Sequence, residues 1–252
     1  MAGMSRIIAL VDLDDTLFQS RRKCPADVPE DRLTALGFAA DGAPLGFATP
    51  RQMGLLGWLS ETTLVVPVTA RSLGALRRVR LGFGAAICAH GGLVLDEDGA
   101  ADPAWQEQMR AGAQDDAGEL QRLAEAIAAA AGEAGAAVRA RVLSEDQVPL
   151  YVVAKDDDGD EHALHALVAG AVPELPAGWT RHVNGNNVAL LPPWLGKQHA
   201  VRYLLEQLRA EAPDATVIGI GDSHTDAPFM RLCDFAMLPT RSQLAERLFR
   251  AA

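Results

Sequence analysis

The chain has 252 residues, 49% of them hydrophobic, and carries 33 acidic against 23 basic side chains for a formal charge of -10. That is enough apolar material for a substantial core, near the size at which one domain gives way to two. The acidic excess argues against nonspecific binding to nucleic acid or anionic lipid, and so for a small-molecule partner. Cys24, Cys88 and Cys233 are odd in number and widely spaced, which speaks against a disulfide framework or a zinc knuckle. The N-terminal apolar run is too short for a signal peptide or a membrane span, so the expected location is the cytoplasm.

In chain order, "IIALV" at 7–11 reads as a buried strand and "LVVPV" at 64–68 as a second. The latter ends in Thr69 and leads into "ARSLGALRRVR", which reads as a helix starting behind a polar turn. A short strand at 85–89 follows, and "HGG" turns the chain into the hairpin-like "LVLDEDG". Residues 109–137 are alanine-rich with Glu, Gln and Arg between, a strong helix former. "VRARVLSE", "LYVVAK" and "NNVALLP" read as strands; after Pro193, "KQHAVRYLLEQLRAEA" reads as a helix and "ATVIGIGDSHTD" as a buried strand entering a loop. The expected fold class is α/β: a Rossmann-like parallel-sheet core built from 1–91 and 189–252, with an inserted α+β domain at 92–188.

Ligands of parallel α/β sheets bind beyond the carboxyl ends of the strands. Asp12 and Asp14 follow the first strand there, Thr69 the second, and Asp222 and Asp226 the strand "VIGIG", while Lys197 opens the helix after the insert. If these converge, the carboxylates repel one another by several kcal/mol at an effective dielectric of about 20. A hard divalent cation is the remedy, and oxygen-only ligands favour Mg²⁺ over zinc. The acids would then hold a metal, and one of them could attack what the metal brings.

The segments D-L-D-D-T (12–16), T-A-R (69–71), Gly196-Lys197-Gln198 and G-D-S-H-T-D (221–226), in that order, resemble the four motifs of the haloacid dehalogenase (HAD) superfamily, whose members are mostly Mg²⁺-dependent phosphatases. The long insert resembles the α/β type-two cap of the sugar-phosphate branch, the Cof-like and sucrose-phosphate phosphatase-like proteins. Ala70 and Thr225 stand where that branch often has Gly and Asn, and residues 35–51 make a longer connection than usual. The resemblance implies a phosphomonoester hydrolase acting through an aspartyl-phosphate, on a sugar or polyol phosphate or a similar small metabolite. It makes Asp12 the nucleophile and Asp14 the general acid and base. It assigns Mg²⁺ to the Asp12 carboxylate, the Asp14 carbonyl and Asp222, phosphoryl contacts to Thr69 and Lys197, and the orientation of Lys197 or a metal-bound water to Asp226. Asp15 receives no catalytic role, since strand alternation turns it away from Asp14.

The insert is expected to close over Asp12 and read the substrate beyond its phosphate. The candidates for contact are Arg141, Lys155, Asn184, Asn186 and Asn187, with Arg71 in the core; a plain hairpin turn is the alternative for the asparagines. Other motifs fail. Leu191 stands where a phosphate loop needs its first Gly, and His224 replaces the third Gly of a dinucleotide fingerprint. "KDDDGDE" has Ala154 and His165 at calcium-loop ligand positions and reads as an acidic turn, with His162 and His165 as surface histidines. An esterase using Ser223 lacks a histidine downstream of His224. A phospho-sensing module, of another class, is usually about half this length with no insert. A phosphomutase of the same superfamily stays open on the motifs.

Overall fold

The structure is a computed structural model that describes residues 7–249. The described residues form two compact units, 7–105 with 197–249, and 106–196. The first contains β1 (Ile7–Val11), β2 (Gln19–Ser20), β3 (Thr34–Phe38), β4 (Pro44–Ala48), α1 (Pro50–Thr62), β5 (Leu64–Pro67), α2 (Leu73–Leu76), β6 (Ala86–Cys88) and β7 (Leu93–Leu95). The division falls in the first turn of α3 (Pro103–Ala134), and the second unit continues through β8 (Val138–Glu145), β9 (Val148–Asp156), α4 (Glu161–Ala171), β10 (Thr180–Val183) and β11 (Val188–Leu191). The chain re-enters the first unit with α5 (Lys197–Glu211), β12 (Thr216–Ile220), α6 (Ala227–Met230), β13 (Phe235–Met237) and α7 (Gln243–Phe249).

The first unit is built on a parallel sheet of order β13-β12-β1-β5. β1 lies inside it, which is why Ala9, Leu10 and Val11 form an unbroken buried apolar run: both faces of such a strand are covered. β6 reaches the sheet through a parallel bridge from Ile87 to Val68 and pairs antiparallel with β7. Because that hairpin holds Leu93 to Leu95 against β6, the boundary falls at Trp105 and not near residue 92. Asp102 then caps α3, accepting from the Trp105 amide at 2.8 Å, with Pro103 at the first helical position where no donor is needed. The second boundary falls at Lys197 and not near 189, because β11 pairs with β9 and β10 inside the inserted unit.

Two segments differ from the sequence reading. The expected helix after Thr69 is a single turn, α2, capped by Ser72. Beyond it the backbone runs beside β3, with the Phe38 amide bonded to the Arg78 carbonyl and the Arg80 amide to that of Leu36. Residues 35–51, taken as a connection, supply the β3–β4 hairpin of a small antiparallel sheet of order β2-β4-β3 and then the capping box of α1, in which Thr49 and Gln52 bond reciprocally.

The second unit is an antiparallel sheet of order β10-β11-β9-β8. Leu120, Leu123 and Ile127 of α3 and Leu164 and Val168 of α4 pack on Val138, Val152, Ala154, Val188 and Leu190. Strand alternation therefore puts Arg141 and Lys155 on the face away from these helices. No helix among the described residues is long and apolar enough to cross a membrane.

Candidate active site

β1 ends at Val11, and the chain then folds back on itself. Leu17 and Phe18 amides bond to the Leu13 carbonyl, the Asp15 amide bonds to that of Phe18, and Leu13, Leu17 and Phe18 are sunk in the core. This turn sets Asp12, Asp14 and Asp15 in three different environments. Asp12 remains at the sheet, its amide bonded to the Ile220 carbonyl of β12 at 2.8 Å. Asp15 sits at φ 64, where a short polar side chain is tolerated, and pairs with Lys23 at 2.5 Å. The turn, and not strand alternation, separates it from Asp14. Asp14 takes a two-pronged bond from Arg71, Nε and Nη2 each at 2.7 Å.

Lys197, the first residue of α5, is buried and donates to Asp12 Oδ1 at 2.6 Å and Asp226 Oδ1 at 2.7 Å. The second Asp226 oxygen accepts from the Ser223 hydroxyl at 2.6 Å and from the Ser223 and Asp222 amides at 3.0 and 3.3 Å. Thr16 donates to the second Asp12 oxygen at 3.3 Å. Thr69, also buried, follows β5 one strand over; its hydroxyl accepts from the Arg71 amide at 3.1 Å.

Burial pushes the Asp12 carboxyl well above the ordinary range; Lys197 opposes this and Asp226 and Asp14 add to it. Burial would raise Asp226 too, but Lys197 and the Ser223 hydrogen bonds outweigh it and hold the group low. Lys197 is held above the ordinary ammonium range, since Asp12 and Asp226 outweigh its own burial. Asp222 is pushed up to about 7, first by burial and then by the charges of Asp226 and Asp15.

These environments bear on a metal. Oxygens of Asp12, Asp222 and Asp226 come within 4.8 Å of one another. Asp14 has Arg71 and Asp15 has Lys23, whereas Lys197 pairs with Asp12 and Asp226 and is, among the described residues, the one ammonium beside those two and Asp222. Three carboxylates against one ammonium leave an excess that a hard dication offsets, and the donors are all oxygen, so the residues fit Mg²⁺. Both Asp226 oxygens are taken by short bonds, whereas the second Asp12 oxygen has only the long bond from Thr16, so Asp12 and Asp222 are the side chains better placed to ligate.

The other candidates lie in the second unit. The Asn184 amide bonds to the Asn187 carbonyl, closing the β10–β11 turn, with Gly185 at φ 53. The Asn186 side chain is committed: it accepts from the Asp156 amide at 3.0 Å and donates to the Asp156 carbonyl at 2.6 Å. It staples the turn to β9, so it is not a free amide for a ligand. His165 is likewise not an idle surface residue, because its Nε2 lies 2.9 Å from the Gly185 carbonyl and ties the same turn to α4. Arg141 and Lys155 are exposed. The acidic turn is as read, with Gly159 at φ 80 and Asp160 capping α4.

No family model matches the sequence, and no curated protein aligns with it. Solved structures do match. A Thermoplasma acidophilum protein superposes with a TM-score of 0.57 at 14% identity, over 97% of this chain and 90% of that one. The sucrose-phosphatase of Synechocystis sp. PCC6803, solved with sucrose and phosphate, gives 0.54 at 15% identity, over 97% and 96%. The C-terminal domain of a C. albicans trehalose-6-phosphate phosphatase gives 0.53 at 13%, over 90% and 73%. The chain has the haloacid dehalogenase fold. In the HAD fold of this chain the four quoted segments meet at the carboxyl ends of β1, β5 and β12 and the start of α5. Sequence reasoning passed over Thr16 and Lys23, and weighed Ser223 only as an esterase nucleophile, not as the holder of Asp226. Thr16 and Ser223 lie inside the quoted motifs, so their hydroxyls were visible. Lys23 was not, because its reach to Asp15 depends on the turn at 12–18.

Proposed function

We propose that this protein is a Mg²⁺-dependent phosphomonoester hydrolase of small phosphorylated metabolites, a sugar or polyol phosphate above others, working in the cytoplasm and not on nucleic acid or membranes. The observation that carries the reading is the lock of Lys197 onto Asp12 and Asp226 beside an uncompensated Asp222, at the carboxyl edge of a parallel sheet. The sugar phosphatases among the similar structures support the substrate class, and three unpaired cysteines suit a reducing compartment.

Asp12 is the nucleophile. Its Oδ1 is held by Lys197, and Oδ2, with only the long bond from Thr16, is the freer oxygen to attack phosphorus. As the bond to phosphorus forms, the bond to the leaving oxygen breaks, and Asp14 gives that oxygen its proton. Asp14 then takes a proton from water as the water attacks the aspartyl-phosphate, releasing phosphate and restoring Asp12. Lys197 and the Thr69 hydroxyl stabilise the phosphoryl oxygens, the electrostatic work that dominates phosphoryl transfer. Mg²⁺, held by the Asp12 and Asp222 carboxylates and the Asp14 carbonyl, would supply charge neutralisation for phosphate beside so many acids. Asp226 fixes Lys197 and is itself fixed by Ser223.

The test is phosphate release from sugar, polyol, nucleotide and glycerate phosphates with Mg²⁺. Turnover that is lost on chelation and in Asp12→Asn is the expected result. Full activity of Asp12→Asn, or undiminished turnover after exhaustive chelation, refutes the mechanism.

A further inference from the structure

The bond between Arg71 and Asp14 goes beyond any role so far assigned to either residue. Both prongs of the guanidinium, Nε and Nη2, lie 2.7 Å from the two Asp14 oxygens, a geometry that fixes the carboxylate plane and not merely its charge. The guanidinium also stacks 5.0 Å over the ring of buried Phe18, which belongs to the same turn as Asp14. The backbone of Arg71 is fixed as firmly. Its amide donates to the Thr69 hydroxyl at 3.1 Å and its carbonyl accepts from the Ala89 amide at 2.6 Å. Ala89 and His90, both non-glycine, stand at φ 51 and 57, and the His90 amide reaches the Thr69 carbonyl at 3.2 Å. Two successive side chains in the left-handed region are disfavoured and persist where the surroundings over-determine them, here in the loop that holds Thr69 and Arg71.

We propose that Arg71 is a positioning residue: it acts through Asp14, aiming that carboxyl at the leaving group, and is not a contact for the substrate. The proposal rests on the phosphatase reading, in which Asp14 protonates the leaving oxygen. Its consequence depends on the leaving group. An alkoxide leaves poorly without a proton, whereas p-nitrophenolate needs little help.

The experiment compares kcat/KM, which reports the first phosphoryl transfer, for an alkyl phosphate that the wild type hydrolyses and for p-nitrophenyl phosphate. Arg71→Ala should lose on the order of a hundredfold on the alkyl ester and no more than a few-fold on the aryl ester. Arg71→Lys keeps the charge but loses the fork, and should show the same split; it also stands in if the alanine variant does not fold. In an Asp14→Asn background, Arg71→Ala should cost nothing further, the mark of residues that act as a unit. Equal losses on both esters, or additive losses in the double variant, mean that Arg71 meets the phosphate or merely supports the fold, and overturn the proposal. A wild type that hydrolyses no phosphomonoester brings down the phosphatase reading and this one with it.

Discussion

Replacing Lys197 by Met removes one charge at nearly constant volume from between two buried carboxylates. At 2.6 and 2.7 Å, with all three side chains under a tenth exposed, each pair attracts by about 6 kcal/mol at an effective dielectric of about 20. Desolvation of the three ions offsets most of that, so the meaningful quantity is the cost of stranding the carboxylates, about 3–5 kcal/mol when one partner of a buried pair is removed. In a domain of this size such a loss lowers Tm by roughly 6–20 °C. Thermal unfolding followed by circular dichroism, with chelator present so that no cation replaces the ammonium, measures it. The pH dependence has a definite sign. The folded pKa of Lys197 is raised, so its contribution is fully present below its unfolded value near 10.4 and is lost only as pH rises through the folded value. Without Lys197 the stranded carboxyls prefer their protons, and carboxyls raised in the folded state lose stability as pH rises. The deficit of Lys197→Met should therefore be largest at neutral pH and shrink toward pH 5. A variant with the Tm of the wild type at pH 7, or a deficit that grows on acidification, refutes the reasoning.

Three further outcomes are expected. Asn186→Ala removes both bonds to the Asp156 backbone and should cost about 1–3 kcal/mol in unfolding experiments, with kcat/KM changed alike for a sugar phosphate and an aryl phosphate; a loss confined to the sugar phosphate would return Asn186 to the substrate. Asp102→Ala removes the cap of α3 and the acceptor of the Tyr203 hydroxyl at 2.8 Å, for about 1–2 kcal/mol. Burial, which would raise the Asp102 carboxyl, is outweighed by hydrogen bonds from Trp105, Tyr203 and Gln207, so the group is held low and its stabilisation should vanish as pH falls through the carboxylate range; a difference unchanged between pH 7 and pH 3 contradicts this. Gly221→Ala would place a Cβ 2.6 Å from that of Asp226, and activity should fall at least tenfold through displacement of Asp226 from Lys197, read as phosphate release at saturating Mg²⁺.

The parts of this molecule legible in the sequence are those in which chemistry and local pattern coincide. β1 and β12 are short apolar runs that end in acids, and both the strands and the acids could be read. The α2 segment misled because helix formers follow a polar turn there, while the backbone of Arg78 and Arg80 finds better partners on β3, a choice made by tertiary pairing. The β3–β4 hairpin was hidden because Pro44 and Gly46 weaken any strand pattern; yet a Cβ at Gly46 would come within 2.7 Å of the Phe18 ring, so the glycine is there to let that ring pack. The asparagines of the β10–β11 turn illustrate a different limit. Amides suit a ligand and a backbone equally well, and only the position of Asp156 across the sheet decides that Asn186 serves the backbone.

The distribution of cations among the acids follows from the same geometry. Asp14 and Asp15 lie on a turn, partly open to water, and each recruits its own cation from a neighbouring segment, Arg71 and Lys23. Asp12, Asp222 and Asp226 are fixed by the parallel sheet and its following loop, where β1 and β12 run side by side and bring their ends together. An ammonium from α5 reaches two of the three. Had Asp222 acquired a cation of its own, the excess of negative charge at the sheet edge would be halved and a dication would be held less strongly. Burial first, and then the neighbouring negative charge, raise Asp222 to about 7, and that excess charge is what a metal-dependent phosphoryl-transfer site would need before its ligands arrive. The test is direct: Asp222→Asn should weaken Mg²⁺ binding, measured by calorimetry, at least tenfold while raising Tm in chelator, because it removes a stranded charge from the empty site. A lower Tm in chelator would show that Asp222 stabilises the fold and that the excess charge is not held in readiness for a cation.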